Sequence, residues 1–169
     1  GWGGLLNLFR RSRALRTWLA TWGFIARGLP VARPVLCLEK RRLRLLGSCY
    51  ILMEFVEGTD KLAYLWPRLA EAGHAECLLR LGSVLGRLHY SGGLHGDLKW
   101  NNIVLPKDDP ADVHLVDFDG SRILRRPSLR RAQRDFDRFM RDLHGHDVSE
   151  RLQIFCGRLW RRWTGGQQA

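Results

Sequence analysis

One stretch decides how this sequence is interpreted: His95-Gly96-Asp97-Leu98-Lys99-Trp100-Asn101-Asn102. It follows a helical pattern that stops at Gly92-Gly93, and it precedes two short apolar runs at residues 103–105 and 113–116. Directly after the second run stands Asp117-Phe118-Asp119-Gly120. The order predicts a polar loop, a small hairpin and then an acidic loop.

The polar loop matches the catalytic-loop pattern of protein kinases, H-R-D-L-x-x-x-N, at every position except Gly96, where those enzymes have Arg. Asp117 stands 15 residues beyond Asn102, at the place of the metal-binding D-F-G aspartate. Phosphoryl transfer requires an acceptor hydroxyl held in line and phosphate charge neutralised by Mg²⁺. Two such motifs in this order therefore predict a phosphotransferase.

The residue types assign a role to each position. Asp97 is placed to orient the acceptor hydroxyl and accept its proton, and Lys99 is the second catalytic candidate because it can reach the transferring phosphoryl group. Asn102 and Asp117 offer the hard oxygen ligands that Mg²⁺ prefers, and they would also lie against the phosphates of the phosphoryl donor.

Two neighbouring positions are interpreted less specifically. Asp119 is either a further metal ligand or only a turn residue before Gly120, and both interpretations stay open. His95 is interpreted as a structural histidine packed beneath the loop.

A hinge between two lobes is predicted where Phe55-Val56-Glu57-Gly58 follows an apolar strand. The backbone of Glu54, Phe55 and Val56 would there bind the adenine of the nucleotide. A strand end followed by a turn explains the individual side chains equally well.

The rest of the chain predicts an α+β fold. The segment Glu39–Arg44 is interpreted as a charged turn between antiparallel strands at 35–38 and 48–55. Helices are predicted at 12–27, at about 60–69, through Leu78–Leu88 and at 130–143. No element is assigned to the basic tail.

The first helix carries an apolar stripe together with several arginines. We expect this stripe to pack on a core, and the alternative is that the helix lies on an anionic membrane surface. The stripe consists of Leu15, Trp18, Leu19, Trp22 and Ile25.

The net charge of +11 is unevenly distributed. The outer segments 1–44 and 122–169 are strongly basic, and the middle segment 45–121 has an excess of acids. This pattern favours an anionic partner outside and metal-binding carboxylates inside. Four dispersed cysteines indicate a reduced, cytoplasmic protein, and we expect no nucleic-acid partner.

The motifs resemble those of a known family of bacterial enzymes. H-G-D-L-K-x-x-N, D-F-D-G-S-R and the following R-R-A-Q-R-D-F-D-R-F-M-R-D-L resemble the lipopolysaccharide kinase family, which includes Kdo kinases and core heptose kinases. The segments S-R-A-L-R-T-W and G-L-P-V-A-R-P-V, residues 12–18 and 28–35, resemble the same family. The similarity covers roughly residues 10–145.

The resemblance implies a protein-kinase-like fold, mainly the helical C-lobe with an incomplete N-lobe. It implies ATP and Mg²⁺ as cofactors and a sugar hydroxyl of the lipopolysaccharide inner core, on a lipid A-core acceptor, as the substrate. It also implies a peripheral position at the inner face of the inner membrane, against an anionic surface. The expected divisions are a partial N-lobe at 1–58, a C-lobe at 59–145 and the basic tail at 146–169.

The sequence departs from the kinase pattern near its start. Gly1, Gly3 and Gly4 lack the strand that would make them a phosphate-covering hairpin, no lysine precedes Lys40, and the first helix has no acid. We therefore expect the chain to begin after the lysine-bearing strand and to be nearly inactive alone. The alternatives are a small-molecule phosphotransferase of the aminoglycoside or choline type, and a non-catalytic, pseudokinase-like binding module.

Overall fold

The computed structural model of the chain describes residues 11–42 and 45–165, so Gly1, Gly3 and Gly4 lie outside the described residues. The helices are α1 (Arg13–Ile25), α2 (Leu62–Leu65), α3 (Glu71–Tyr90), α4 (Leu129–Leu143) and α5 (Glu150–Thr164). The strands are β1 (Pro34–Arg42), β2 (Leu45–Met53), β3 (Thr59–Lys61), β4 (Gly93–Leu94), β5 (Ile103–Pro106), β6 (His114–Leu115) and β7 (Arg122–Ile123). The fold is α+β, as predicted.

Strands β1 and β2 form a two-stranded antiparallel ribbon, which confirms the predicted pairing. The prediction of a turn from Glu39 was wrong for the described part, because Glu39–Arg42 continues β1 and pairs with β2. Lys40 and Arg42 alternate toward solvent along the ribbon. Glu39–Arg42 holds four consecutive charged residues whose exposure alternates, which is compatible with a strand that has one face in water. Strand β2 ends at Met53, before Phe55.

A three-stranded sheet contains the predicted hairpin of β5 and β6, and β3 pairs with the other edge of β5. The helix expected at about 60–69 begins only at Leu62, because Asp60 and Lys61 belong to β3. Asp60 is paired with Leu105, which is distant in sequence. Pairing with a distant strand overrides local propensity, and periodicity cannot reveal it.

Helices α3, α4 and α5 surround the main core. Trp160 of α5 is buried, stacks on Phe136 of α4 with ring centroids 4.4 Å apart, and donates its Nε1–H to Nδ1 of His89 at 2.7 Å. Helix α5 lies within the tail to which the sequence analysis assigned no element. Trp160 and Cys156 of this helix complete the core, so the helical body extends beyond residue 145.

Helix α1 packs on a different face from the one expected. Its buried residues are Ala14, Thr17, Ala20, Thr21 and Phe24. Leu19 and Trp22 of the apolar stripe remain 44% and 39% exposed. The helix approaches its neighbours closely, since a Cβ on Gly23 would lie 2.1 Å from Cδ1 of Ile123. Four of the five buried side chains of α1 are small, which permits this approach, and Phe24 is the one large side chain among them.

Candidate active site

Helix α4 holds the candidate catalytic loop, residues 95–102, from below. The carboxylate of Asp135 accepts hydrogen bonds from the backbone N–H groups of His95 and Gly96 at 2.8 and 3.0 Å. One carboxylate oxygen of Asp142, two turns further along the helix, accepts a bond from the backbone N–H of Trp100 at 2.7 Å. Both ends of the loop are therefore tied to one rigid element.

Asp135 is a buried acid that the sequence analysis did not single out. Besides the two loop amides, it contacts Nε2 of His89 at 3.1 Å. Burial alone would raise the pKa of Asp135, but the hydrogen bonds from His89, His95 and Gly96 outweigh it and lower that pKa. A signal for it existed, because Asp135 shares the buried face of α4 with Ala132 and Phe139.

Asp97 lies in the loop with both carboxylate oxygens occupied. Lys99 Nζ donates to its Oδ2 at 2.7 Å, and Arg138 of α4 forms an ion pair with its Oδ1. Asn102 Nδ2 donates to the Asp97 carbonyl at 2.9 Å. The hydrogen bond from Lys99, assisted by the charge of Arg138, holds the pKa of Asp97 below its usual value despite partial burial. The two predicted catalytic residues, Asp97 and Lys99, are thus in direct contact. Arg138 also contacts Asp97, and the sequence did not predict this contact.

His95 occupies the structural position expected of it. Its ring is fully buried, lies 5.1 Å from the ring of Phe118, and places Nε2 3.0 Å from the Val116 carbonyl. Burial lowers the pKa of His95, which favours the neutral ring with its proton on Nε2. The side chain therefore joins the catalytic loop to Val116, the residue before the acidic loop.

A hydrogen bond joins the catalytic loop to the residue that precedes the acidic loop, residues 117–120. The N–H of Val116 donates to the Asn102 carbonyl at 3.0 Å, so Asp117 directly follows a residue tied to Asn102. Asp117 has a positive φ of 61°, a conformation uncommon for residues other than glycine. Such conformations cluster at functional sites, where the surroundings hold them in place.

A cavity of about 340 Å³ opens beside the acidic loop. Asp117, Phe118 and Asp119 form one wall, and residues of α1 and β2 form the others. These residues are Arg13, Ala14, Thr17, Cys49, Ile51 and Met53. Asp119 forms an ion pair with Arg13, so this carboxylate is engaged by a cation of α1.

The predicted hinge begins directly after Met53, which is the last residue of β2 and part of the cavity wall. The N–H of Glu54 donates to the Arg33 carbonyl at 2.7 Å, and the Val56 carbonyl accepts a bond from Thr59 Oγ1 at 2.7 Å. The side chain of Phe55 is 79% exposed and contributes no wall to the cavity.

The donor set fits a metal that is shared with phosphates. Within the described ranges, no three His, Cys, Asp or Glu side chains converge on a common metal position. Asn102 uses its amide nitrogen toward Asp97, which leaves Oδ1 as the oxygen available to a ligand. Mg²⁺ is typically held by one or two carboxylates together with substrate phosphates and water. Asn102 and Asp117 suit that mode of binding and do not form a protein-only cage.

The backbone conformation of Gly96 and its close contact with Gly120 explain why a glycine stands where protein kinases have an arginine. Its φ is 85°, and a Cβ at this position would lie 2.4 Å from the Gly120 carbonyl oxygen. The catalytic and acidic loops therefore touch backbone to backbone, and any side chain at residue 96 would separate them.

We expect Gly96→Ala to destabilise the protein by at least about 1–2 kcal/mol, the cost of left-handed backbone alone, with the clash against Gly120 in addition. Thermal unfolding measures the loss. Gly145→Ala is the matched control, because a Cβ there meets nothing within 4 Å. Equal unfolding temperatures for the two variants would show that the loops tolerate separation.

Comparison with known proteins relates this chain to kinases. Residues 5–155 match the model of a family described as the lipopolysaccharide kinase (Kdo/WaaP) family. The solved structure of WaaP in complex with acyl carrier protein superposes with a TM-score of 0.73 at 19% identity, covering 88% of this chain and 66% of that one. The chain therefore has the protein-kinase-like fold that the motifs implied.

Curated relatives point in the same direction. Protein kinase kin1 of Schizosaccharomyces pombe is 30% identical over 130 residues, which are 75% of this chain and 12% of that protein. The serine/threonine-protein kinase RAD53 of Saccharomyces cerevisiae is 33% identical over 73 residues, 42% of this chain and 9% of that protein. The chain thus spans a small part of these relatives' length.

Proposed function

This chain belongs to the lipopolysaccharide kinase (Kdo/WaaP) family, and from that premise we propose that it transfers the γ-phosphoryl group of ATP to a sugar hydroxyl of the lipopolysaccharide inner core. The observation that carries the proposal is the contact set of Asp97, whose carboxylate is held beside Lys99 and Asn102 at the spacing of a kinase loop. Family membership supports the kinase-type transfer, and the core sugar is our inference from the family.

In the proposed reaction, Asp97 receives the acceptor hydroxyl, orients its oxygen toward the γ-phosphorus and takes its proton. A bond forms between that oxygen and phosphorus while the bond to the bridging oxygen of ADP breaks. Lys99 turns from Asp97 to the transferring group, which its 37% exposure and flexible stem permit. Asn102 and Asp117 would hold Mg²⁺, which would neutralise the charge of the phosphates.

The nucleotide would occupy the cavity beside the acidic loop, with its adenine at the hinge. The Glu54 N–H and the Val56 carbonyl already have partners within the chain. Recognition of adenine would therefore use the Glu54 carbonyl and the Val56 N–H, with Phe55 between them. The Arg13 of the cavity wall supplies a cation on the phosphate side.

A nucleotide shift in thermal unfolding tests the first half of this proposal. ATP with Mg²⁺ should raise the unfolding temperature of the chain more than ATP alone, because ligand binding stabilises only the folded state. Transfer of labelled phosphate from ATP to lipopolysaccharide core, by the protein that carries this chain, tests the second half. Binding without transfer by that protein would favour the pseudokinase-like module, and transfer to an aminoglycoside or choline would favour the small-molecule alternative.

We also propose that the protein works at the surface of an anionic membrane, close to a lipid-linked acceptor. Within the described ranges, no helix is both long and apolar enough to cross a bilayer. Leu19 and Trp22 are instead exposed on α1, in the same helix as the exposed Arg16. Apolar and aromatic groups beside arginine favour the interface of an anionic bilayer.

Leu19→Ala combined with Trp22→Ala is expected to weaken binding to anionic vesicles, since both changes remove apolar area from the exposed side of α1. Binding should also fall with salt, because each well-placed Lys or Arg contributes about 1 kcal/mol near such a surface. Vesicle co-sedimentation measures both effects. Leu79→Ala is the control, since Leu79 is an equally exposed leucine of α3. Equal binding of wild type to neutral and anionic vesicles would contradict the proposal.

A further inference from the structure

We propose that Arg138 recognises a negatively charged substituent of the acceptor, a carboxylate or a phosphate, next to the hydroxyl that Asp97 receives. This inference rests on the proposed function, and it makes Arg138 a specificity-determining residue of the same site. It concerns a side chain that lies outside the motif of the catalytic loop, 41 positions further along the chain.

The contact of Arg138 differs from those of the other α4 residues that reach the loop. Asp135 and Asp142 accept bonds from loop backbone amides, and those bonds position the backbone. Arg138 lies between them on the helix and contacts the carboxylate of Asp97 instead. It therefore touches the group that would meet the acceptor, although two neighbours already hold the loop.

The guanidinium of Arg138 has capacity for a second anion. Its side chain is 50% exposed, and Asp97 is the one acceptor that it contacts among the residues the structure describes. A guanidinium offers five N–H donors in a planar fork that matches a carboxylate or phosphate in two parallel bonds. A single Asp97 oxygen engages only part of that fork.

The local charge balance also favours an anionic acceptor. Asp97 carries one negative charge, and Lys99 and Arg138 carry one positive charge each, so the cluster has an excess of one positive charge. In the proposed reaction Lys99 follows the phosphoryl group, and Arg138 remains on the acceptor side. A neutral sugar would leave this cation with no partner beyond Asp97, whereas an acidic sugar would supply one.

The surface around Arg138 continues the same sign of charge. Arg134 and Arg141 stand one helical turn before and after it and are exposed, whereas the acids at the equivalent positions, Asp135 and Asp142, are buried or half-buried against the loop. Solvated arginines are common on helix surfaces, and these two alone would indicate little. Their alignment with a cation that contacts Asp97 extends the positive field from the site along the helix, where an acidic oligosaccharide would lie.

Binding of core oligosaccharides tests the inference without requiring turnover. The probe is a deacylated lipopolysaccharide core oligosaccharide, used intact, after reduction of its carboxyl groups, and after removal of its phosphates. Calorimetric titration of the 169-residue chain should show about tenfold or greater weakening for one of the two neutralised forms, the loss expected for a charge-assisted bidentate contact. The form that weakens identifies the group.

Variants assign that preference to Arg138. Arg138→Gln should bind all three oligosaccharides within about threefold of one another, and Arg138→Lys should keep part of the preference because it keeps the charge. Arg162→Gln, an exposed arginine of α5, should behave like wild type. A role confined to bracing the loop would weaken all three oligosaccharides equally, so the ratio separates the two roles.

Each outcome decides the matter. If Arg138→Gln retains the wild-type preference, or if wild type binds the three oligosaccharides equally or binds none, the inference is overturned. Stabilisation by ATP with Mg²⁺, and transfer of labelled phosphate to the core by the protein that carries this chain, are measured in parallel. If these persist, only the assignment of Arg138 fails, and if they are absent, the proposed function fails as well.

Discussion

Asp97→Asn is expected to lower the turnover of acceptor phosphorylation by roughly 10²–10⁴, the range for loss of a positioned general base. The amide has the same shape but cannot accept the hydroxyl proton, and it cannot form the ion pairs with Lys99 and Arg138. Binding of ATP with Mg²⁺ should change little, because Asp97 faces the acceptor. Initial rates and nucleotide titrations of the protein that carries this chain measure the two quantities separately.

Asp108→Asn is the matched control for this experiment. Asp108 is an exposed acid in the connection between β5 and β6, and its replacement should leave the rate unchanged. An undiminished rate in Asp97→Asn would contradict the proposed mechanism. A loss of nucleotide affinity equal to the loss of turnover would instead move Asp97 to the metal site.

Asp135→Ala is expected to destabilise the fold by about 3–5 kcal/mol, because three donors lose their acceptor and an unsatisfied buried donor costs about 1–3 kcal/mol. The change leaves the buried N–H group of His95, the N–H group of Gly96 and the ring of His89 without their acceptor. For a domain of this size the unfolding temperature should fall by roughly 6–20 °C. Phosphorylation should be impaired as well, because the loop that presents Asp97 loses its anchor.

Asp137→Ala is the control, since Asp137 lies near the same turn but accepts its bond from the neighbouring Gln133 at the surface. The pH dependence gives a second measurement. Because folding lowers the pKa of Asp135, its stabilisation is present above the unfolded-state pKa near 4 and is lost as the pH falls through the folded value. The gap between wild type and Asp135→Ala should therefore narrow below about pH 4. A gap that is independent of pH would contradict this assignment.

Much of the candidate site could be predicted because its chemistry is local in sequence. Asp97, Lys99 and Asn102 lie within six positions of one another, and loop geometry then keeps their side chains in contact. Their roles in catalysis remain predictions. Asp135 and Arg138 were not predicted, because their relation to the loop depends on where α4 packs. The only local sign of Asp135 was an acid at a position that the helical periodicity predicts to be buried.

The sequence by itself determined the class of fold, the antiparallel pairing of β1 with β2, and the order of the catalytic and acidic loops. These features arise from periodicity, turn residues and spacing, which act over short stretches.

Tertiary structure alone decided that α1 buries Ala14, Thr17 and Phe24 and exposes Trp22. An amphipathic pattern shows that a helix has two faces, but the distance to its neighbours decides which side chains fit between them. The same holds for Asp135 and Arg138, whose contacts join segments about 40 residues apart. Such contacts form only when packing of the core places helix α4 beside the catalytic loop.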